Sequence, residues 1–323
     1  MCCKCYLELA KIRLTAMVLI TTAVGYLLAA SRPLAGWGLL WTVLGTGLAA
    51  VGASTFNQIL EVDRDAKMVR TRNRPLPAGR ISRGHAFAFA LVTTAAGLGV
   101  LNELVNPLTS LLGLANVLVY TLVYTPLKPR TSLNTLVGAI CGALPPVMGW
   151  TGASNELTLG AGLLAAILFL WQVPHFLAFS WLYRSDYARA GYRMLPVIDP
   201  SGRLTCLLIV LYTLALLPMG LSATFCGMAG YLFGALSLVL GVGFFLLALQ
   251  LRAAKTNENA RRLFLASIIY LPLLLLFLVA DARPVVTDPA MAAQATPRAV
   301  DLPLIEFVGV VGLRQVEKRA AAA

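Results

Sequence analysis

The chain has 323 residues, of which 59% are hydrophobic and 12% are charged, and its mean hydropathy is +0.78. Soluble domains carry about 25% charged residues, so this composition excludes an ordinary soluble protein and indicates one that is embedded in a membrane. The formal net charge of +12 does not indicate nucleic-acid binding, because the basic residues lie at the ends of apolar segments rather than on one soluble face.

Nine apolar segments approach or reach the roughly 17 to 25 residues that an α-helix needs to cross a bilayer. They lie near residues 14–30, 37–57, 86–101, 108–124, 133–152, 157–179, 205–224, 229–249 and 263–280. The third segment is the shortest, so hydropathy alone leaves an eight-helix alternative open. Lipid offers no partner for open backbone groups, so every span is predicted to be helical. The predicted fold class is an all-α integral membrane protein, a bundle of nine transmembrane helices. Residues 1–280 form its polytopic domain, and residues 281–323 form a flexible C-terminal tail.

The distribution of Lys and Arg predicts the orientation. Twenty of them lie before the first span or in the loops after even-numbered spans, whereas the opposite loops contain only Arg32. Because positively charged loops stay on the cytoplasmic side, the N-terminus is predicted to be cytoplasmic and the C-terminus to lie on the opposite side. The N-terminal sequence lacks the pattern of a secretory signal or a transit peptide, which favours a bacterial inner membrane.

The end of the second span and the loop after it, residues 57–77, read NQILEVDRDAKMVRTRNRPLP. In a continuous helix Asn57, Glu61 and Asp65 lie at i, i+4 and i+8, so they share one face. Three oxygen-bearing side chains on one face can hold a hard cation such as Mg²⁺. A loop that only sets topology would explain the basic residues but not this spacing. Asp63 would point away from that face, which makes it either a loop ligand or a partner for nearby arginines.

Two further loops open on the same predicted side. The loop after the fourth span contains Tyr124 and Lys128, and the loop after the sixth contains Asp186 and Tyr187. Carboxylates from two loops and the oxygens of a substrate phosphate form a plausible coordination set for Mg²⁺. The basic side chains that could neutralise a departing diphosphate are Lys67, Arg70, Arg74 and Lys128. Tyr124 and Tyr187 could contact phosphate or shield a cation, but tyrosines are also ordinary anchors at the membrane interface.

Three motifs resemble those of one enzyme family. They are Asn57-x-x-x-Glu61-x-Asp63-x-Asp65-x-x-Met68-x-Arg70-Thr71-x-x-Arg74-Pro75, Trp171-x-x-Pro174-His175-Phe176 and Asp186-Tyr187-x-x-Ala190-Gly191-x-x-Met194-Leu195-Pro196. From about residue 6 to about residue 280 the chain resembles the protohaem IX farnesyltransferase (haem O synthase) family, a branch of the membrane-embedded aromatic prenyltransferase superfamily. Three positions depart from the family pattern, one of which is Arg193 in place of a frequent proline. Glu61 stands where Asp is common, which keeps the carboxylate, and Ser185 stands where many relatives have a further acid.

The resemblance implies a nine-helix bundle around a central cavity. It also implies transfer of a farnesyl group from farnesyl diphosphate to a vinyl group of haem B, with addition of water, giving haem O and diphosphate. Mg²⁺ is the implied cofactor, and Asn57, Glu61, Asp65 and Asp186 are the implied catalytic and metal-binding residues. The implied protein partners are a haem A synthase or terminal oxidase assembly proteins. Composition and spacing alone support only the membrane, the metal and the diphosphate.

The resemblance further implies that His175, inside the sixth span, contacts the haem, since neutral imidazole is a common axial ligand of haem iron. The structural alternative is a hydrogen-bonded interior residue beside Pro174, where the helical hydrogen bonds are interrupted.

Two other functions stay open. One is a related membrane prenyltransferase that acts on a quinone or chlorophyll precursor, and the other is a haem carrier or transporter without catalysis. The Arg70-Thr71-x-x-Arg74-Pro75 motif and the motif around His175 favour haem over other acceptors. A carrier or transporter predicts no requirement for a diphosphate.

Overall fold

The computed structural model describes residues 3–30 and 36–283. Within these ranges the protein is helical, with one π-helical segment and no named strand. Nine helices there are long and apolar enough to cross a membrane, which confirms the predicted spans and fold class. The predicted tail lies outside the described residues, apart from its first three, 281–283.

The helices are α1 (Cys3–Leu9), α2 (Ile12–Ala29), α3 (Gly36–Asp65), α4 (Arg83–Leu104), α5 (Pro107–Leu118), α6 (Thr125–Leu127), α7 (Asn134–Ser154), α8 (Leu159–Leu182), α9 (Arg184–Arg189), α10 (Leu195–Ile198), α11 (Arg203–Phe225), α12 (Tyr231–Ala253) and α13 (Asn257–Ala280). The fourth span consists of α5, the π-helical segment Val119–Tyr124 and α6. The third span, α4, has 22 residues rather than the 16 of the predicted segment, so the eight-helix alternative is wrong.

The second span, α3, is the longest helix. It has 30 residues, which at 1.5 Å per residue extend about 45 Å, more than the roughly 30 Å of the hydrocarbon core. No proline interrupts it, so the helix continues past its apolar part without a break. Its last turns therefore carry Asn57, Glu61 and Asp65 on one helix, as the sequence predicts.

The first span, α2, packs closely against α7 through small residues. A Cβ atom built on Gly149 of α7 would lie 1.9 Å from the carbonyl oxygen of Thr22, and one built on Gly25 of α2 would lie 1.9 Å from that of Pro146. Membrane helices approach this closely only where small residues line the contact. The two glycines therefore fix α7 against α2 in the middle of the bundle.

The π-helical segment Val119–Tyr124 positions two aromatic rings. The ring centroids of Tyr120 and Tyr124 lie 5.2 Å apart, and the Tyr124 ring lies over Gly138 of α7, where a Cβ atom would come within 2.8 Å of it. π-helical turns are rare in proteins, and those that occur are often found at functional sites. Here it places Tyr124 beside Lys128, at the same end of the bundle as the last turns of α3.

Candidate active site

The last turns of α3 present a buried polar face. Asn57, Glu61 and Asp65 are 1%, 5% and 1% exposed, whereas Leu60 between them is 55% exposed. The helical spacing predicted this separation, because residues four apart share a face and the intervening leucine points outward. Polar groups as deeply buried as these need partners, and each of the three has one.

Glu61 pairs with Lys128. The Lys128 Nζ donates to Glu61 Oε1 at 2.7 Å, and both side chains are at least 90% buried. The same ammonium lies 4.5 Å from the centroid of the Tyr124 ring. Burial alone would lower the pKa of Lys128, but the Glu61 carboxylate outweighs burial and raises the pKa above its ordinary value. Lys128 therefore carries a positive charge in this site.

Asp65 pairs with Arg74 of the following loop. Arg74 Nη1 donates to Asp65 Oδ2 at 2.6 Å, and the Thr71 hydroxyl donates to the Asp65 backbone carbonyl at 2.9 Å. The second carboxylate oxygen, Oδ1, is buried and has no hydrogen-bond donor in the described part of the chain. An orphaned carboxylate oxygen needs an explanation such as an ion, and an oxygen ligand of this kind suits Mg²⁺.

Asn57 contacts a residue that sequence reasoning missed as a site residue. Its Oδ1 accepts from Lys11 Nζ at 2.7 Å, and its Nδ2 donates to the Thr125 hydroxyl at 3.0 Å. Burial, together with the nearby charges of Arg74 and Lys128, lowers the pKa of Lys11 to about 7. In the sequence Lys11 is one of several basic residues near the first span, so only its topological role was recognised.

The backbone between α1 and α2 aims Lys11 into the site. Lys11 has φ 46° and ψ 53°, a left-handed conformation that costs an L-residue roughly 1–2 kcal/mol. The carbonyl of Leu9 accepts from the Ser54 hydroxyl at 3.0 Å and from Gln58 Nε2 at 2.8 Å. These two bonds attach the turn between α1 and α2 to α3, so the Lys11 side chain stays directed toward Asn57.

Asp186, the predicted acid of the second loop, lies on α9 and is 7% exposed. Its carboxylate accepts from the neighbouring Arg189. The ring centroid of Tyr187 lies 5.9 Å from that of the buried Tyr192. Burial raises the pKa of Tyr187 and of Tyr192, so both phenols stay protonated.

The carboxylates do not form a closed metal site by themselves. Within residues 3–30 and 36–283, no three His, Cys, Asp or Glu side chains come together as a candidate metal cluster. A Mg²⁺ ion usually takes one or two carboxylates and completes its shell with water and substrate phosphate. Such an open site fits the residues that are present.

The remaining charged residues of the first cluster divide between surface and site. Lys67 and Arg70 are both exposed. The Arg70 guanidinium lies 5.4 Å from the Phe179 ring centroid and 5.5 Å from that of Tyr183. Asp63 is 83% exposed and bonds Arg83 at 2.7 Å. Asp63 is therefore an arginine partner, which settles the two alternatives that the spacing left open.

A cavity of about 440 Å³ opens beside Glu61. It is lined by Leu60, Glu61, Arg64, Thr125, Pro126, Pro129, Arg130 and Tyr192. Its wall therefore combines an acid of α3 with arginines and with apolar side chains. Such a lining can receive a ligand that has both an anionic and an apolar part.

His175 lies in α8, seven residues before the end of that helix, and is half-buried. Its Nδ1 is 2.7 Å from the Ser267 hydroxyl of α13, and its ring stacks on Trp171 with centroids 4.9 Å apart. The hydrogen bond expected of an interior polar residue is thus present. No sequence signal connects His175 to Ser267, because the two residues are 92 positions apart.

Comparisons with known proteins show the family of the chain. Residues 18–276 match the model of the UbiA prenyltransferase family. A protein of Solibacter usitatus named protoheme IX farnesyltransferase is 41% identical over 289 residues, which are 86% of this chain and 98% of that protein. A Homo sapiens protein named protoheme IX farnesyltransferase, mitochondrial, is 43% identical over 278 residues, 86% of this chain and 62% of that longer protein.

The fold also matches solved structures. A UbiA homolog from Archaeoglobus fulgidus, bound to GPP and Mg²⁺, superposes with a TM-score of 0.64 over 85% of this chain and 99% of its own, at 15% identity. At that identity the likeness concerns the fold.

Proposed function

The chain belongs to the UbiA prenyltransferase family, and we propose that it transfers the farnesyl group of farnesyl diphosphate to a vinyl group of protohaem IX to give haem O. One observation carries the proposal: three buried oxygen-bearing groups on α3 each lie beside a basic side chain at one end of the bundle. The names of relatives about 40% identical support farnesyl as the donor group and haem as the acceptor.

The metal-binding residues in this proposal are Asn57, Glu61, Asp65 and Asp186. The free Oδ1 of Asp65 supports this assignment, because a buried carboxylate oxygen without a donor suits a cation. Mg²⁺, when bound, supplies a Lewis acid for the diphosphate oxygens. The Archaeoglobus fulgidus homolog bound to GPP and Mg²⁺ supports the same pairing of ligand and ion.

The basic residues bind the diphosphate and neutralise the charge that develops on it. Lys128 and Arg74 already contact the acids of α3, and Lys11 contacts Asn57. Arg70 and Lys67 lie in the loop that follows α3. Donors that are already in place when charge develops cost no reorganisation during the reaction, which is why such groups accelerate it.

The organic reaction breaks the bond between C1 of the farnesyl chain and oxygen, and the electron pair leaves with the diphosphate. The vinyl group of the haem then attacks the allylic cation, and water adds to the resulting cation with loss of one proton. Tyr124 and Tyr187 supply aromatic faces near Lys128 and Tyr192, and an aromatic face stabilises a cation.

His175 binds the haem acceptor in this proposal, since its neutral imidazole can ligate iron. We further propose that the chain lies in a bacterial inner membrane, with its N-terminus cytoplasmic, its C-terminus on the opposite side and residues 281–323 as a tail. Its protein partners are a haem A synthase or terminal oxidase assembly proteins. The positive-inside distribution of Lys and Arg supports the orientation.

The proposal is tested with the purified full-length chain in detergent and lipid, incubated with protohaem IX, farnesyl diphosphate and Mg²⁺. The expected product is haem O, identified by mass, with release of one diphosphate. Addition of EDTA should stop the reaction, and excess Mg²⁺ should restore it. Prenylation of a quinone or chlorophyll precursor instead of haem would refute the acceptor assignment. Haem binding without any diphosphate release would refute the enzyme activity.

A further inference from the structure

Ser267 on α13 makes three hydrogen bonds, of which two connect α8 to α13 and one lies within α13. Its hydroxyl lies 2.6 Å from the carbonyl of Phe264 and 2.7 Å from His175 Nδ1. Its backbone carbonyl accepts from Trp171 Nε1 at 2.9 Å. Ser267 is fully buried. Trp171 Nε1 and His175 Nδ1, both on α8, therefore bond to the same residue of α13.

These contacts favour one position for the His175 proton, because the Ser267 hydroxyl has a single proton to donate. A carbonyl cannot donate, so the single hydroxyl proton of Ser267 is used in the bond to Phe264. With that proton donated to Phe264, the Ser267 oxygen accepts from His175, and the imidazole proton lies on Nδ1. In a neutral imidazole that is protonated on Nδ1, the other nitrogen, Nε2, has a free lone pair. No other hydrogen bond of the ring is found among residues 3–30 and 36–283.

The rings around His175 continue toward the loop that carries the diphosphate candidates. The ring centroids of His175 and Phe264 are 5.0 Å apart, those of Phe264 and Phe179 are 5.4 Å apart, and those of Phe179 and Tyr183 are 4.8 Å apart. Arg70 lies over Phe179 and Tyr183 at the end of this series. A flat aromatic ligand could therefore lie along half-buried rings between His175 and Arg70.

The depth of His175 suits a large acceptor. It precedes Tyr183 by eight residues of α8, about 12 Å along a helix. His175 therefore lies about two helical turns before the ring that Arg70 contacts. This separation keeps the metal of the acceptor away from the charged cluster.

We propose that Ser267 is a positioning residue for the haem acceptor: it holds His175 protonated on Nδ1, so that Nε2 is the ligand of the haem iron. This inference rests on the proposed function, because it takes haem as the acceptor. Residues that hydrogen-bond the other ring nitrogen of a metal-ligating histidine fix its tautomer and ring orientation, and their loss typically costs 10–100-fold in metal affinity. Ser267 therefore affects haem binding without touching the reacting atoms.

The experiment titrates ferric protohaem IX into purified full-length protein and follows optical absorption and electron paramagnetic resonance. The wild type should show histidine ligation. His175→Ala should lose that signature, and added imidazole should restore it. Ser267→Ala should weaken haem binding about 10–100-fold and change the spectrum, whereas Ser267→Thr, which keeps the hydroxyl, should restore both.

Ser237 of α12 provides a matched control. It is 3% exposed, and its hydroxyl bonds the carbonyl of Gly234 three residues earlier, as Ser267 bonds Phe264. Ser237→Ala should bind haem like the wild type. The inference is overturned if Ser267→Ala keeps the wild-type affinity and spectrum, or if both alanine variants lose binding equally. The alanine pair decides the outcome even if Ser267→Thr fails to fold.

Turnover separates this inference from the proposed function. Wild-type protein that makes haem O but shows no spectral change in Ser267→Ala or His175→Ala would overturn the inference and leave the proposed function intact. Wild-type protein that shows His175 ligation but makes no haem O would refute the proposed function and leave the inference standing as a haem-binding arrangement.

Discussion

Lys128 Nζ lies 2.7 Å from Glu61 Oε1, and both side chains are almost fully buried. A basic side chain also contacts each of the other metal-binding candidates. The pairs are Lys11 with Asn57, Arg74 with Asp65, Lys128 with Glu61 and Arg189 with Asp186. The free protein thus already neutralises its acids with bases of its own. Binding of a metal diphosphate would exchange these internal contacts for contacts with the substrate.

Lys128→Met should destabilise the protein. It leaves the Glu61 carboxylate buried without its partner, and breaking a buried ion pair in this way costs about 3–5 kcal/mol. Thermal unfolding in detergent measures the effect. The double variant Lys128→Met with Glu61→Gln removes both charges and should recover most of the lost stability, while it stays inactive. A double variant no more stable than the single one would contradict this account of the pair.

Asp65→Asn should lower kcat/KM for farnesyl transfer by at least about 100-fold, because a metal supplies several kcal/mol of charge stabilisation and each 1.36 kcal/mol is a factor of ten. Asp63→Asn is the matched control, since Asp63 is two residues away, 83% exposed and paired with Arg83. Steady-state kinetics of both variants give the comparison. Equal losses in the two variants would show that the buried face of α3 has no special role.

Arg70→Gln should raise KM for farnesyl diphosphate about tenfold, because a hydrogen bond to a charged group contributes about 1.5–3 kcal/mol. Arg72→Gln removes the same charge from the same loop, where Arg72 is exposed and has no ion pair with any described residue. It should leave KM within about twofold of the wild type. Kinetics at fixed haem concentration measure both, and a similar rise in both would indicate long-range electrostatics instead of a contact.

Gly149→Ala should destabilise the bundle by about 1–3 kcal/mol or more, the typical cost of overpacking. The new methyl would lie 1.9 Å from the Thr22 carbonyl oxygen, and a backbone atom cannot yield without moving α2. Gly162→Ala on α8 has no atom within 4 Å of the new methyl and should be neutral or slightly stabilising, since Ala is a better helix former than Gly. Thermal unfolding that gives equal shifts for the two variants would disprove the close contact between α2 and α7.

The sequence predicted the parts of this molecule that depend on spacing along one helix. Nine spans follow from hydropathy, and the buried face of Asn57, Glu61 and Asp65 follows from the period of the α-helix. The basic residues of the loop were recognised as a group, but Arg74 was expected to contact the diphosphate, and in the free protein it pairs with Asp65. The cluster of charged residues in the sequence indicated a site, but it did not show which acid pairs with which base.

Contacts between distant segments could not be read in this way. Lys11 approaches Asn57 across 46 positions, and His175 approaches Ser267 across 92. Each contact depends on how two helices pack, which hydropathy does not encode. The π-helical segment Val119–Tyr124 was also missed, because one widened turn does not change the apolar pattern of a span.

The number of residues between Leu9 and Lys11 matters for the site, because the backbone at Leu9 is held by α3. The carbonyl of Leu9 is bonded to Ser54 and Gln58 of α3, and Lys11 follows two positions later. One residue inserted between them would leave all nine apolar segments unchanged, yet it would turn the lysine away from Asn57. An insertion or deletion between Leu9 and Ile12 would therefore change the site itself, because it would move Lys11 away from Asn57.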